Sequence, residues 1–285
     1  MLCAGATCSK GGLFGNSVDA DVAESQPADT PAQTKTDIGP PPIDPETGQM
    51  PRLDVSLRVL QVRVPSESRK NCEPLWTYVR EDVLDAEVHR RLRENGMRVG
   101  VSRLEWYEPI RGVLSAVPEH VINDPEPFRL PFGFPLGLEL DRGPHDQTLF
   151  FLNEDNTLVG ETWEASRNQL RISYVLDASK KGRIRLEVVP QVRREASGPN
   201  LGDPADGFSP KPRLEGRTFD HAGFYLTMDA DEILVLAPNE NATAYGIIGG
   251  AFLTEKTDER GYDRYIMIRP EVRYVDVSPD SSQPG

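Results

Sequence analysis

The chain has 285 residues, enough for one large or two modest domains, and a formal net charge of −13. That acidic balance argues against a nucleic-acid partner, which needs a basic face, and with no run of 18 or more apolar residues no transmembrane helix is expected. The 25 prolines and 24 glycines point to a turn-rich, mostly β protein rather than a helical bundle.

Residues 1–50 are polar, acidic and proline-bearing (SQPADTPAQTKTD, GPPPIDPETG). They carry too little apolar surface to offset the entropy of ordering, so a disordered tether is expected there, with Pro40–Pro42 locally extended. The start, MLCAGATCSKGG, holds Cys3 and Cys8 among small residues. A bacterial lipoprotein keeps a cysteine in such a setting, so Cys8, and after it Cys3, are the candidate lipidation sites, although the segment lacks a basic and a full apolar region. An ordinary N-terminus with two incidental cysteines is the other reading. With Cys72 the cysteines form an odd, sparse set, which is no disulfide framework.

Order is expected from Leu53. In LDVSLRVLQVRV the apolar positions alternate, and the alternation slips by one at Val59–Leu60, which suggests a bulge. SESRKNCEP reads as a loop, with Cys72 a small buried hydrophobe. Asp82 or Asp85 caps a helix that runs to about Asn95, where Asn95-Gly96 stops it. Met97, Val99 and Val101 make a short strand. SRLE (102–105) fits a capping box for a second helix burying Leu104, Ile110, Leu114 and Val117, which Pro109 kinks or restarts. Residues 51–117 thus read strand, helix, strand, helix.

Residues 118–277 read as a β-rich domain, with a 278–285 tail. In 118–147 short strands are expected at Phe128–Leu130 and Leu136–Leu140. Phe128, Phe132 and Phe134, with Trp163, form a candidate binding surface; the competing reading is that these rings seat a loop on the core. Leu149–Leu152 and Leu158–Trp163 flank the turn NEDN. Leu170–Leu176 and Ile184–Val188 flank DASKKG as an antiparallel hairpin, with Pro190 ending its second strand. Residues 193–217 read as a long loop, and Asp203 and Asp206 match no calcium loop. Phe224–Met228, Ile233–Leu236, Tyr245–Leu253, Arg264–Arg269 and Val272–Val277 read as strands, with Gly249-Gly250 a place for close backbone approach. The fold class expected is α+β: a small strand-helix-strand-helix unit followed by a mostly antiparallel β domain.

Little chemistry is on offer. His89, His120, His145 and His221 have no ligand-spaced partners, so no metal is expected, and no cofactor motif occurs. Asp229, Asp231 and Glu232 form an acidic cluster that reads as a solvated hairpin tip before it reads as a carboxylate catalyst.

GRIRLEVVPQV (182–192) resembles the G-x-I-x-L-x-V-x-P-x-V strand of secretin-type outer-membrane channel proteins. FYLTMDADEILVLAPNENATAYGIIGGAF followed by RYIMIRPEV (264–272) is similar to the secretin order of strand, turn, IGG segment and closing strand, and LRENGMRVGVS resembles their ring-building domains. The chain shows no long membrane-spanning hairpin pair and no repeated N-domains. The resemblance implies an envelope-associated, non-enzymatic structural or assembly protein, membrane-tethered by an N-terminal lipid, whose partners are other envelope proteins. The alternatives are a β-rich ligand- or carbohydrate-binding domain or an enzyme of unrecognised class, and a cytoplasmic chain.

Overall fold

A computed structural model describes residues 52–275, apart from 142, 154, 178–179, 181, 196–213, 244–245 and 258–259. The expectations for the 1–50 tether with Cys3 and Cys8, for Asp203 and Asp206, and for the 278–285 tail fall outside these residues. The described chain is an α+β protein in which every strand ladder is antiparallel. It begins strand, helix, strand, helix: β1 (Arg52–Pro65), α1 (Ala86–Glu94), β2 (Met97–Arg103) and α2 (Tyr107–Ser115). There follow β3 (Val121–Asn123), β4 (Phe128–Arg129), β5 (Leu136–Glu139), β6 (His145–Leu152), β7 (Leu158–Leu176), β8 (Ile184–Glu195), β9 (Leu214–Thr218), β10 (Phe224–Met228), β11 (Glu232–Pro238), α3 (Ile248–Leu253), β12 (Thr254–Lys256) and β13 (Gly261–Val275).

The strands form two sheets. The first has the order β2-β11-β13-β1-β3, with β12 on β13 and β4 on β1; the second has the order β10-β8-β7-β5, with β6 on β7 and β9 on β8. The first sheet therefore runs across the 117/118 boundary expected from the sequence. The N-terminal β1 pairs along all fourteen of its residues with β13.

The first sheet is the middle of three layers. One face meets the second sheet across a core that includes Val55, Leu57, Val59, Leu234, Leu236, Ile266 and Ile268, opposed by Leu170, Ile172, Leu186 and Leu226. The other face carries Leu60, Val62, Val64, Ile233, Val235, Tyr265 and Met267 under Cys72, Leu75 and Trp76 of a 3₁₀ run (Ser66–Tyr78) and Ile110 and Leu114 of α2. This explains the slip at Val59–Leu60. No bulge is present, because the β1–β13 register is unbroken. Instead, the odd face of β1 is buried against the second sheet over 55–59, and the even face is buried under the helical layer over 60–64. The central strand β11 is buried on both faces, hence its unbroken apolar run.

Local chemistry sets the connections. Asp85 caps α1 by accepting from the Glu87 amide at 2.9 Å, and Gly96 (φ +84°) follows its end in the left-handed conformation. The SRLE capping box is not used. Ser102 is still in the β2–β11 ladder, and its hydroxyl donates to the Tyr78 carbonyl at 2.7 Å. Pro109 falls in the first turn of α2, where a missing N–H costs no helical bond. The stretch expected as a loop from Ser66 is the 3₁₀ run, because Cys72, Leu75 and Trp76 bury against the first sheet.

Four strand expectations are corrected, the first being that Arg264–Arg269 and the described part of Val272–Val277 are one strand, β13. Leu158–Trp163 and Leu170–Leu176 are one strand, β7, which changes direction at Ala165 (φ +45°) beside the register shift of β6. Pro190 does not end β8. Its carbonyl accepts from the Phe219 amide at 2.9 Å, so its nitrogen faces the gap between β9 and β10, where no partner requires a donor. Within Tyr245–Leu253, Ile248–Leu253 is helix α3 rather than strand, and Gly249 and Gly250 do mark a close backbone approach.

Candidate functional site

The outer face of the second sheet is the most distinctive polar surface among the described residues. Even positions of β7 from Asn168 to Tyr174 point into the core, so Gln169, Arg171 and Ser173 point outward. Their neighbours on β8 are Gln191, Val189 and Glu187. The side-chain amide of Gln169 donates to the Gln191 side-chain carbonyl at 2.5 Å, forming the floor of a trough of about 370 Å³.

Arg171 and Arg193 rise beside this floor, and neither pairs with another described residue. Arg193 also lies directly across from Arg167, a like-charge pairing relieved on one side by Glu139, 3.6 Å from Arg167. Glycines hold the flanks open. A Cβ at Gly137 of β5 would lie 2.9 Å from the Gln169 amide oxygen, and one at Gly216 of β9 would lie 2.7 Å from the Val192 carbonyl oxygen. The result is an open, positively charged strip on an acidic protein.

Pro135 carries this trough to the aromatic stretch. The Phe134 amide donates to the Pro131 carbonyl at 3.1 Å, closing a tight turn in which Gly133 takes φ +82°. The turn displays Phe132, 52% exposed, and Phe134, 70% exposed. Phe132 is braced edge-on by Tyr174, with ring centroids 6.3 Å apart, and the Tyr174 hydroxyl donates to the Leu130 carbonyl at 3.2 Å. Phe134 is left to solvent.

The four ring positions singled out from the sequence differ in exposure. Phe132 and Phe134 project. Phe128 and Trp163 are half-buried against the core between the sheets. The Gln–Arg strip escaped sequence reading because polar residues alternating with apolar ones are the ordinary wet face of a strand. Only the β7–β8 register sets Gln169 opposite Gln191, and only the β9 pairing adds Gly216. Farther along the face, Tyr225 is exposed and donates to Glu187 at 2.8 Å.

The acidic cluster at 229–232 holds the fold at a turn. Asp229 accepts from Arg183 at 2.9 Å and Lys180 at 2.8 Å, and these cations hold its carboxyl down at about 2. Glu232 accepts from the Asp229 amide at 2.9 Å and from Arg80 at 2.8 Å. Asp231 is exposed. Cys72 is fully buried, and burial pushes its thiol up to about 11, which leaves it inert as a nucleophile at neutral pH.

No family model matches the chain, and no curated protein matches it. Comparison with solved structures finds the β-barrel of the InvG secretin domain from the Salmonella SPI-1 injectisome, at 11% identity and a TM-score of 0.19 over 81% of this chain and 66% of that one. The Salmonella injectisome secretin InvG is matched again at 11% identity and a TM-score of 0.18, over 81% of this chain and 67% of that one. A structure of the basal body proteins InvG, PrgH and PrgK is matched at 11% identity and a TM-score of 0.18, over 81% of this chain and 48% of that one. Matches at these scores carry no argument about this chain.

Proposed function

We propose that the chain is a non-enzymatic structural or assembly protein that meets a protein partner through the Pro131–Phe134 turn and the Arg171–Arg193 strip. The observation that carries this reading is the display of two phenylalanines on a tight, braced turn beside arginines that pair with no other described residue. Aromatic and arginine side chains are enriched at the energetic centres of protein interfaces, and a ring that is already held loses little freedom on docking. The test is a Phe132→Ala, Phe134→Ala double variant expressed in the source cells and extracted under native conditions. The wild-type chain migrates in a larger complex and the double variant as a free chain of unchanged melting temperature; an unchanged complex overturns the reading.

A second reading is a carbohydrate in the trough, favoured by the paired amides of Gln169 and Gln191 and by the nearby rings. Glycan binding that is lost in Gln169→Ala would support it over the first.

We further propose that the assembly belongs to the cell envelope. The support is the cysteine setting of Cys3 and Cys8 and the sequence resemblance over residues 182–272. Fractionation with mass spectrometry of the N-terminal peptide tests it: a lipid on Cys8 in the membrane fraction is expected, and an unmodified soluble chain contradicts it.

A further inference from the structure

We propose that a second site, on the face of the first sheet turned away from the second, binds a soluble phosphate group through Arg111 and Arg269. It is independent of the reading above. The site is a cavity of about 250 Å³ where the apolar cover of the helical layer runs out. Its floor is Leu60, Ile233 and Met267, all buried. One wall is the first turn of α2, Tyr107 and Glu108, with Arg111 one turn on. The other is a pair of arginines, Arg58 of β1 and Arg269 of β13, directly opposed across the ladder.

Two like charges face to face across neighbouring strands repel, so each needs a counter-charge. Arg58 has one: its Nε and Nη2 donate to the two oxygens of Asp124 at 3.2 and 3.1 Å, which also raises the affinity of its guanidinium for its proton. Arg269 has none among the described residues. It is half-buried, and its Nε is shut off from water without a hydrogen-bond partner. A buried N–H left unsatisfied costs free energy, and a guanidinium fork is shaped to give two such donors to an oxyanion. Arg111 is likewise half-buried with no side-chain partner among the described residues.

The donors decide the ligand. Arg58 and Asp124 neutralise each other. Glu108 is exposed and forms no ion pair with a described residue. With Glu108 counted, the lining carries one net positive charge, and the two partnerless guanidiniums offer the forked donors that the several oxygens of a phosphate accept. Tyr107 completes the wall. Its burial pushes the phenol above its ordinary range, so it keeps its proton and can donate to a bound oxygen.

The test is calorimetric titration of the purified full chain with inorganic phosphate at pH 8, at constant ionic strength set with chloride. Saturable binding is expected, at least tenfold weaker in Arg269→Gln and in Arg111→Gln and unchanged in a control variant of the exposed Arg103, Arg103→Gln. Arg111 lies on a helix surface, so its variant tests the site even where Arg269→Gln disturbs the sheet; melting temperatures without ligand check both. Absence of saturable binding, or binding unchanged in Arg111→Gln and Arg269→Gln, overturns the proposal.

Discussion

Replacing Gly249 by alanine lowers stability by about 3 kcal/mol, the upper end of what overpacking a close-packed interior costs. A methyl group there would run into the carbonyl carbon of Gly96 and sit 2.5 Å from the carbonyl oxygens of Asn95 and Gly96. All of these are backbone atoms at a junction that has little room to move. The Gly249 amide donates to the Asn95 carbonyl at 2.8 Å, and the Leu152 amide donates to the Asn95 side chain at 2.9 Å. The Asn239 side chain donates to the carbonyls of Arg93 at 2.8 Å and Met97 at 3.2 Å. One methyl thus pries α3 from the end of α1, and α3 carries Ile248, Phe252 and Leu253 into the core between the sheets. For a domain of this size the loss appears as a melting temperature roughly 6–12 °C lower. Gly112 is the control. It lies in the exposed interior of α2, and a methyl added there would meet nothing within 4 Å, so Gly112→Ala should raise stability by about 0.5–1 kcal/mol. Thermal melts of the two variants decide whether the junction or a general intolerance of alanine is at work.

Removing the Asp263 carboxylate costs a similar amount for a different reason. Asp263 is completely buried and accepts from Arg69 through both oxygens, at 2.5 and 2.9 Å, and from the Ser66 hydroxyl at 2.8 Å. Arg69 also donates to the Asn239 carbonyl at 2.8 Å and so ties the 3₁₀ run to the far end of β11. Asp263→Ala leaves a mostly buried guanidinium without its counter-charge, a loss of about 3–4 kcal/mol. Taking both charges away together is milder, because the penalty is the orphaned cation rather than the lost pair. The double variant Arg69→Met, Asp263→Leu should therefore be more stable than Asp263→Ala alone, and chemical denaturation of the two measures the difference. A double variant as damaged as the single one would show that the carboxylate holds the 3₁₀ run by its geometry and not by its charge.

The strand alternation of 53–64, a helix cap at Asp82 or Asp85, the glycine stop at Gly96 and the 176–184 hairpin were readable because each is set by residues close in sequence. The layering was not. The slip at Val59–Leu60 looks like a bulge to any local reading, and becomes a change of buried face only when one layer covers half the strand and a second layer covers the rest. The helix at Ile248–Leu253 defeats propensity for the same reason: Gly249 and Gly250 weaken any helix, and packing against Asn95, Gly96 and Ala242 selects it. In the candidate site the projecting phenylalanines could be named from composition. Their partition into two exposed rings and two half-buried ones depends on Tyr174 and the core, and the trough depends on strand register.

Photo-crosslinking from position 134 in intact source cells tests the central claim most directly. A photoreactive residue there replaces the most exposed ring of the turn, and the same residue at the exposed Glu126 serves as reference. A discrete protein adduct from position 134, absent from position 126, is the predicted result. The same adducts from both positions, or none from position 134, would contradict an assembly role for this face.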